Sequence, residues 1–300
     1  MFELAVLDSA LRMATPLILA SLGGLFSERS GVVNIALEGI LLTGAFASIV
    51  ATFYTGNPWA GVFAGVFAGM LISLIHAIVS IVFKADQIVS GVAINLLAMG
   101  LTQFLTWIIW GSSANSPPVQ GMAHWALPET WGPLARGVNV VIGHYPPLVY
   151  IALALVAVSH VVLFRTPFGL RLRATGEHPE AVDTLGVSVR AMRFAGVLMS
   201  GAFAGLGGAF LALNTHQFVK NMSAGRGFIA LAAMIFGKWN PAGALAACLL
   251  FGYAEAVQMG LQGQAVPTQF VQMIPYVLTM VALVGVIGRA RPPAASGKPY

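Results

Sequence analysis

The stretch GGLFSERSGVVNIALEGILLTGAF, Gly23–Phe46, decides the fold. An apolar run arrives at Gly23–Phe26, breaks at Ser27–Ser30, and resumes at Val32 with Asn34 and Glu38 embedded in it. Asn34 and Glu38 are four apart and share a helix face, with Gly31 and Gly39 flanking them where the backbone can leave helical geometry. Non-helical backbone at membrane depth is tolerated only where protein buries it or water lines it. An ionisable group there costs about 2.5–3.5 kcal/mol on insertion scales. Asn34 and Glu38 therefore either face a cavity or lock helices by hydrogen bonding, and both readings stay open.

The rest of the chain agrees that this is membrane sequence. Of 300 residues, 58% are hydrophobic and 8% charged, with a mean hydropathy of +0.84, against about 25% charged in soluble domains. The net charge of +5 does not form a basic stripe interleaved with aromatics, so nucleic acid is not an expected partner. The single cysteine, Cys248, allows no intrachain disulfide. The first residues carry Glu3 and Asp8 before Arg12, unlike the basic start of a secretory signal, so the first helix is expected to be retained.

A crossing needs roughly 20 apolar helical residues, and nine segments emerge. They are Leu4–Phe26, Val32–Tyr54, Trp59–Phe83, Ile88–Trp110, Pro147–Phe164, Phe194–Leu213, Gly225–Phe236, Ala242–Met259 and Phe270–Ile287. The seventh is too short to cross and reads as a half-helix after an unwound or re-entrant stretch. With Arg165–Arg193 cytoplasmic, eleven Lys and Arg lie inside and three outside, a strong positive-inside signal. The N-terminus is then external, Gly111–Pro146 is a long external loop, and residues 289–300 are a cytoplasmic tail expected to be disordered.

The two ends of the chain resemble each other in order. LGGLF (22–26) matches LGGAF (206–210), GVVNIAL (31–37) matches GRGFIAL (225–231), and NPWAG (57–61) matches NPAG (240–243). Five crossings separate the two units, so they face opposite ways. The expected architecture is an all-α polytopic membrane protein with an inverted four-helix repeat and broken half-helices. It forms one permease domain, 1–288: repeat 1 at about 4–110, a linking helix 147–164, a loop 165–193, and repeat 2 at about 194–288. In transporters this arrangement puts the substrate path at the repeat interface, whereas chance Gly/Ala matches from small-residue packing are the plainer account.

Other polar groups fall at membrane depth. Asp8 and Arg12 are four apart and are expected to pair. The fourth segment carries Gln87, Ser90, Asn95 and Gln103, and Asn95 and Gln103, eight apart on one helix face, suit a pore lining or interhelical glue equally. Asn214, His216 and Arg226 flank the half-helix, whose free N–H groups suit ligand oxygens, although helix packing is the first reading for Arg226. Glu255 and Gln258 are expected to bond locally, and His76 and His160 to be structural.

The longest internal loop, RTPFGLRLRATGEHPEAVDTLGVSVRAMR (165–193), contains signals for one short helix: Pro179 in the first turn, Glu180 and Asp183 behind it, and Gly186 after the last periodic residue. A helix so short needs a surface to pack on, which points to a soluble partner or to the chain's own helix ends. RATGEHPEAVDTLGVSV (173–189) resembles the coupling-helix loop of bacterial ABC importer permeases that handle branched-chain amino acids, simple sugars and nucleosides. Gly23–Phe46 resembles the nucleoside and simple-sugar branch most closely.

The resemblance implies a bacterial inner-membrane assembly with a second permease, an ATPase that supplies ATP and Mg, and an external substrate-binding lipoprotein. Members often have ten helices. It also implies that Glu177, His178, Pro179, Glu180, Asp183, Leu185 and Gly186 meet the ATPase, and that the break at Asn34–Gly39 borders the path. No GxxxxGK[ST] occurs in the chain, so the motor is expected elsewhere. Few fixed charges and several Asn, Gln, Ser and aromatic groups suit an uncharged polar solute, a nucleoside first and a simple sugar second. An ion-coupled transporter would rely on Glu38, Glu255 or Asp8. Catalysis finds no HExxH, GxSxG or convergent His/Asp/Cys set, and neither a metal nor a cofactor is expected in this chain.

Overall fold

A computed structural model describes residues 2–123, 145–261 and 290–300, with Met273 and Val277. Ten α-helices occur among the described residues: α1 (Phe2–Arg29), α2 (Leu37–Thr55), α3 (Pro58–Ala77), α4 (Gln87–Trp110), α5 (Pro147–Arg165), α6 (Pro167–Glu177), α7 (Pro179–Thr184), α8 (Val189–Thr215), α9 (Arg226–Phe236) and α10 (Pro241–Leu261). A π turn, Ile78–Val82, extends α3. Seven helices, α1–α5, α8 and α10, are long and apolar enough to cross a membrane, and α9 is the short apolar helix among them. The segment expected at Phe270–Ile287 lies outside the described residues apart from two positions.

Burial sorts these helices. The apolar windows of α1 and α8 are 78% and 72% buried, against 28–39% for α3, α4, α5 and α10. Two uninterrupted helices thus form the centre, and apolar side chains such as Phe63, Phe67, Leu96 and Phe104 turn outward from α3 and α4. With no hydrophobic driving force between helices in lipid, close packing of small residues does the holding. A Cβ on Gly44 would stand 2.6 Å from the Gly205 carbonyl, and one on Gly69 would collide with the Gly201 carbonyl. Glycine is required at these crossings of α2 and α3 over α8.

Four expectations need correction. The second segment starts at Leu37, not Val32, because residues 30–36 satisfy their backbone groups through side chains of other helices instead of a helical ladder. The loop 165–193 holds two helices, not one: Thr166 caps α6 by accepting from Gly169 N–H at 3.1 Å, and Pro167 occupies its first turn. α8 also begins at Val189, five residues early, capped by Ser188 accepting from Ala191 N–H. Finally, residues 290–300 are not a free tail. Ala295 N–H donates to Gly176 O at 2.8 Å and Gly297 N–H to Gly31 O at 3.2 Å.

At the end opposite α6 and α7, the loop after α4 pairs with the loop after α8. Ser116 N–H donates to Phe218 O, Val119 N–H to His216 O and Lys220 N–H to Ala114 O, at 2.7–2.9 Å. Residues 124–144 of the expected external loop lie outside the described residues.

Candidate functional site

The break before α2 meets the start of α9 in the middle of the bundle. Ala36 leaves residue 37 to begin the helix without a side-chain cap, so the preceding backbone must find partners elsewhere. Val33 N–H donates to Gln87 Oε1 at 2.7 Å, and Val33 O accepts from His76 Nε2 at 3.0 Å. A carbonyl only accepts, so Nε2 carries the proton, and in the neutral ring Nδ1 accepts from the Ser90 hydroxyl 3.0 Å away. Ile35 O accepts from Asn95 Nδ2 at 3.0 Å, while Asn95 Oδ1 accepts from Gly39 N–H at 2.8 Å. Asn34 Oδ1 accepts from Ala36 N–H, and its Nδ2 donates to Ser200 Oγ on α8 at 2.9 Å. The unwound strand is thus held by α3, α4 and α8.

Glu38 completes the arrangement. It lies in the first turn of α2, and its two carboxylate oxygens accept from Gly225 N–H at 2.8 Å and Gly227 N–H at 2.7 Å. A Cβ on Gly227 would collide with Glu38 N, so the two helix starts abut. Each carries about half a positive charge. One buried carboxylate therefore lies at both N-termini and satisfies two backbone N–H groups at the start of α9.

Arg226 stands beside this cap without joining it. Its guanidinium pairs with Glu255 of α10 at 3.5 Å and donates to Met222 O, so Glu255 reaches across to α9 instead of bonding locally to Gln258. Asn214 and His216 are far from the break. With Met122, Pro146, Phe210 and Leu213 they line a shallow depression at the end opposite α6 and α7. Asp8 and Arg12 form the expected pair.

The C-terminal end of α9 is clamped as firmly. Arg29 donates from Nε and Nη2 to Trp239 O at 3.1 and 2.8 Å, and Trp239 Nε1 donates to Glu28 Oε2 at 2.6 Å. Lys238 and Trp239 take positive φ angles of 54° and 51°, a conformation costly for residues with a Cβ and held here by that clamp. Arg173 of α6 lies over the Phe164 ring at 4.8 Å, and Arg29 approaches the same ring at 5.8 Å.

The loop residues group separately. Glu177, His178, Glu180, Asp183, Leu185 and Gly186 are exposed around α7, Pro179 is half-buried, and Val182 is the side chain that anchors the helix. Leu185 is 82% exposed, an apolar group with nothing on it in this chain.

Ser200 is the member of the site that sequence reasoning missed; Gln87 was read among the polar groups of its segment, and His76 has the structural role expected of it. Gln87 and Ser90 share a face of α4 with Gly91 and Ile94, a spacing visible in the sequence. Ser200 gave no signal, since it is a lone polar residue in an apolar helix.

Residues 6–283 match the family described as branched-chain amino acid transport system / permease component. The chain is 44% identical to the guanosine ABC transporter permease protein NupQ of Bacillus subtilis, over 98% of this chain and 96% of that protein. It is 41% identical to the nucleoside ABC transporter permease protein NupC of Lactococcus lactis, with the same coverage. Among solved structures, an ABC transporter assigned to the metal-chelate type, in an inward-facing conformation, has a TM-score of 0.50 at 15% identity, covering 94% of this chain and 85% of that one. That likeness concerns the fold alone.

Proposed function

The chain belongs to the branched-chain amino acid transport system permease family, and on that premise we infer that it is the membrane permease subunit of an ATP-driven importer that carries nucleosides across the bacterial inner membrane. It is a transport component rather than an enzyme, and ATP hydrolysis belongs to a separate ATPase. The observation that carries the nucleoside reading is the similarity over 98% of the chain to two permeases named for guanosine and nucleosides. A polar break with few fixed charges supports an uncharged solute.

In this reading the ATPase seats on α7, where Leu185 supplies an exposed apolar contact and Glu180 and Asp183 a charged rim. The tally of basic residues puts α6 and α7 in the cytoplasm, together with residues 290–300. A second permease and an external binding lipoprotein complete the assembly. Substrate passes along the break, and Asn34, Glu38, Ser90 and Asn95 act by holding its shape: each spends its polar atoms on backbone or on a neighbouring side chain in the present state. Asn214 and His216 belong to the outer end of the path.

The inverted repeat has support in the packing of α1 on α8. A Cβ on Gly23 would lie 2.7 Å from Ser200 O and 3.4 Å from Phe203 Cβ, while one on Gly207 would lie 3.1 Å from Pro16 O and 3.4 Å from Leu19 Cβ. Gly23 and Gly207, Pro16 and Ser200, and Leu19 and Phe203 are each separated by the same interval in the chain, as an internal two-fold axis requires. Asn57 and Asn240, from the third matching pair, also do the same job: each accepts from the N–H two residues on, at 2.9 Å. A ninth crossing at Phe270–Ile287 would complete the second unit.

Uptake of radiolabelled guanosine and other nucleosides, in cells with and without the gene, tests the function. Gene-dependent uptake that unlabelled nucleosides compete and free ribose does not is the expected result. Competition by ribose would transfer the assignment to simple sugars.

A further inference from the structure

Residues 294–300 touch α6, the turn at Gly31 and the start of α8. Ala294 N–H donates to Glu177 Oε2 at 3.2 Å, and Ala295 N–H to Gly176 O and Gly297 N–H to Gly31 O. At the centre lies Arg193 of α8, only 1% exposed. Its Nη1 donates to Lys298 O at 3.0 Å, and its guanidinium lies 5.9 Å from the centre of the Tyr300 ring. Its Nε and Nη2 find no partner among the described residues. A buried guanidinium is costly unless it is bonded, and here the hydrogen bond and the ring contact both come from the same short segment.

The segment closes over a place where nothing else fits. Gly31 has φ +94°, and a Cβ there would meet Arg193 Nη2, Gly176 Cα and Ala295 O at 3.3–3.5 Å. Three separate pieces of chain therefore converge on Gly31, at the entrance to the break.

We propose that residues 294–300 are a coupling strap, pinned by Arg193 as a positioning residue, that makes the ATPase-facing helices and the break before α2 move as one body. This rests on the reading of the chain as an ATP-driven permease. Without the strap, movement of α6 and α7 is taken up at the Gly31–Gly176 contact and does not reach Asn34–Glu38. The loss is one of coupling, so hydrolysis continues while transport falls.

The test uses the complete transporter in proteoliposomes, reading guanosine moved per ATP hydrolysed. Deleting residues 294–300 should lower this ratio roughly tenfold, the effect of losing about 1.4 kcal/mol of interaction, with basal hydrolysis retained. An unchanged ratio overturns the proposal. Where the deletion prevents assembly, Arg193→Lys and Arg193→Met decide: Lys keeps one donor for Lys298 O and should hold most of the ratio that Met loses, and equal ratios overturn the proposal. Failure of the underlying reading looks different, because the unaltered complex would then show no ATP-dependent uptake.

Discussion

Glu38 accepts a hydrogen bond from the backbone N–H of Gly227 at 2.7 Å, joining the first turn of α2 to the first turn of α9. Gly227 lies in GRGFIAL, and Glu38 directly follows GVVNIAL, the stretch in the other half of the chain that resembles it. Their contact is where the two helix starts meet, and the carboxylate is what allows two positive ends to face each other.

Glu38→Gln should weaken this joint markedly. An amide offers one acceptor and turns an NH₂ group toward a backbone N–H, leaving a donor unsatisfied in a dry site. The expected cost is about 1.5–3 kcal/mol, the range for hydrogen bonds to charged groups. Thermal unfolding of the detergent-purified complex measures it, and an unaltered midpoint would remove the capping role.

Gly176→Ala and Gly31→Ala address the contact at the other end of the break. A Cβ on Gly176 would collide with Arg29 O, and Gly31 holds a φ of +94°, each a strain of order 1–3 kcal/mol. Both substitutions should lower uptake and the unfolding midpoint. Gly56→Ala, at φ +67° with nothing nearby, should carry only the backbone strain and is the control.

Glu180→Arg combined with Leu185→Asp changes two exposed side chains, and surface changes of this kind stay within about 0.5 kcal/mol of neutral. Membrane insertion should be unaffected while ATP-coupled uptake is abolished. Uptake measured beside membrane content of the protein separates the two, and full uptake would move the ATPase contact away from α7.

Arg226 and Glu255 lend themselves to a charge exchange. Arg226→Glu or Glu255→Arg alone places two like charges about 3.5 Å apart in the bundle and should reduce both the folded protein and its uptake. The double exchange should recover most of what either lost, with KM close to the original. A KM that stays high after stability returns would instead assign Arg226 to the substrate.

The sequence was readable where a physical rule acts locally. Asn57, Asp86 and Asn240 each precede an apolar run and accept from an N–H of the next turn, as a local capping rule requires. The half-helix at 226–236 was legible from its length, and α7 from Pro179 and Gly186. The late start of α2 was not, since Val32–Ala36 is as apolar and helix-compatible as the residues after it. Its unwinding depends on acceptors and donors from Gln87, His76 and Asn95, which only the packed bundle delivers. The same holds for residues 290–300, whose Pro, Ala, Ser and Gly look like loose chain until Gly176, Gly31 and Arg193 supply partners.

By itself, then, the sequence determined the solvent this protein folds in, the places of the eight apolar helices found among the described residues, and the separation of a charged loop from lipid-soluble helices. These come from composition and period, which act over one or two turns. Only the tertiary structure decided what the membrane-buried polar residues do. A lone Asn, Glu or His in an apolar helix has the same local signature whether it meets a ligand or a backbone group of another helix. The answer lies in which orphaned N–H and C=O groups the fold brings within 3 Å, and the break before α2 brought them to Asn34, Glu38, His76, Gln87, Ser90 and Asn95.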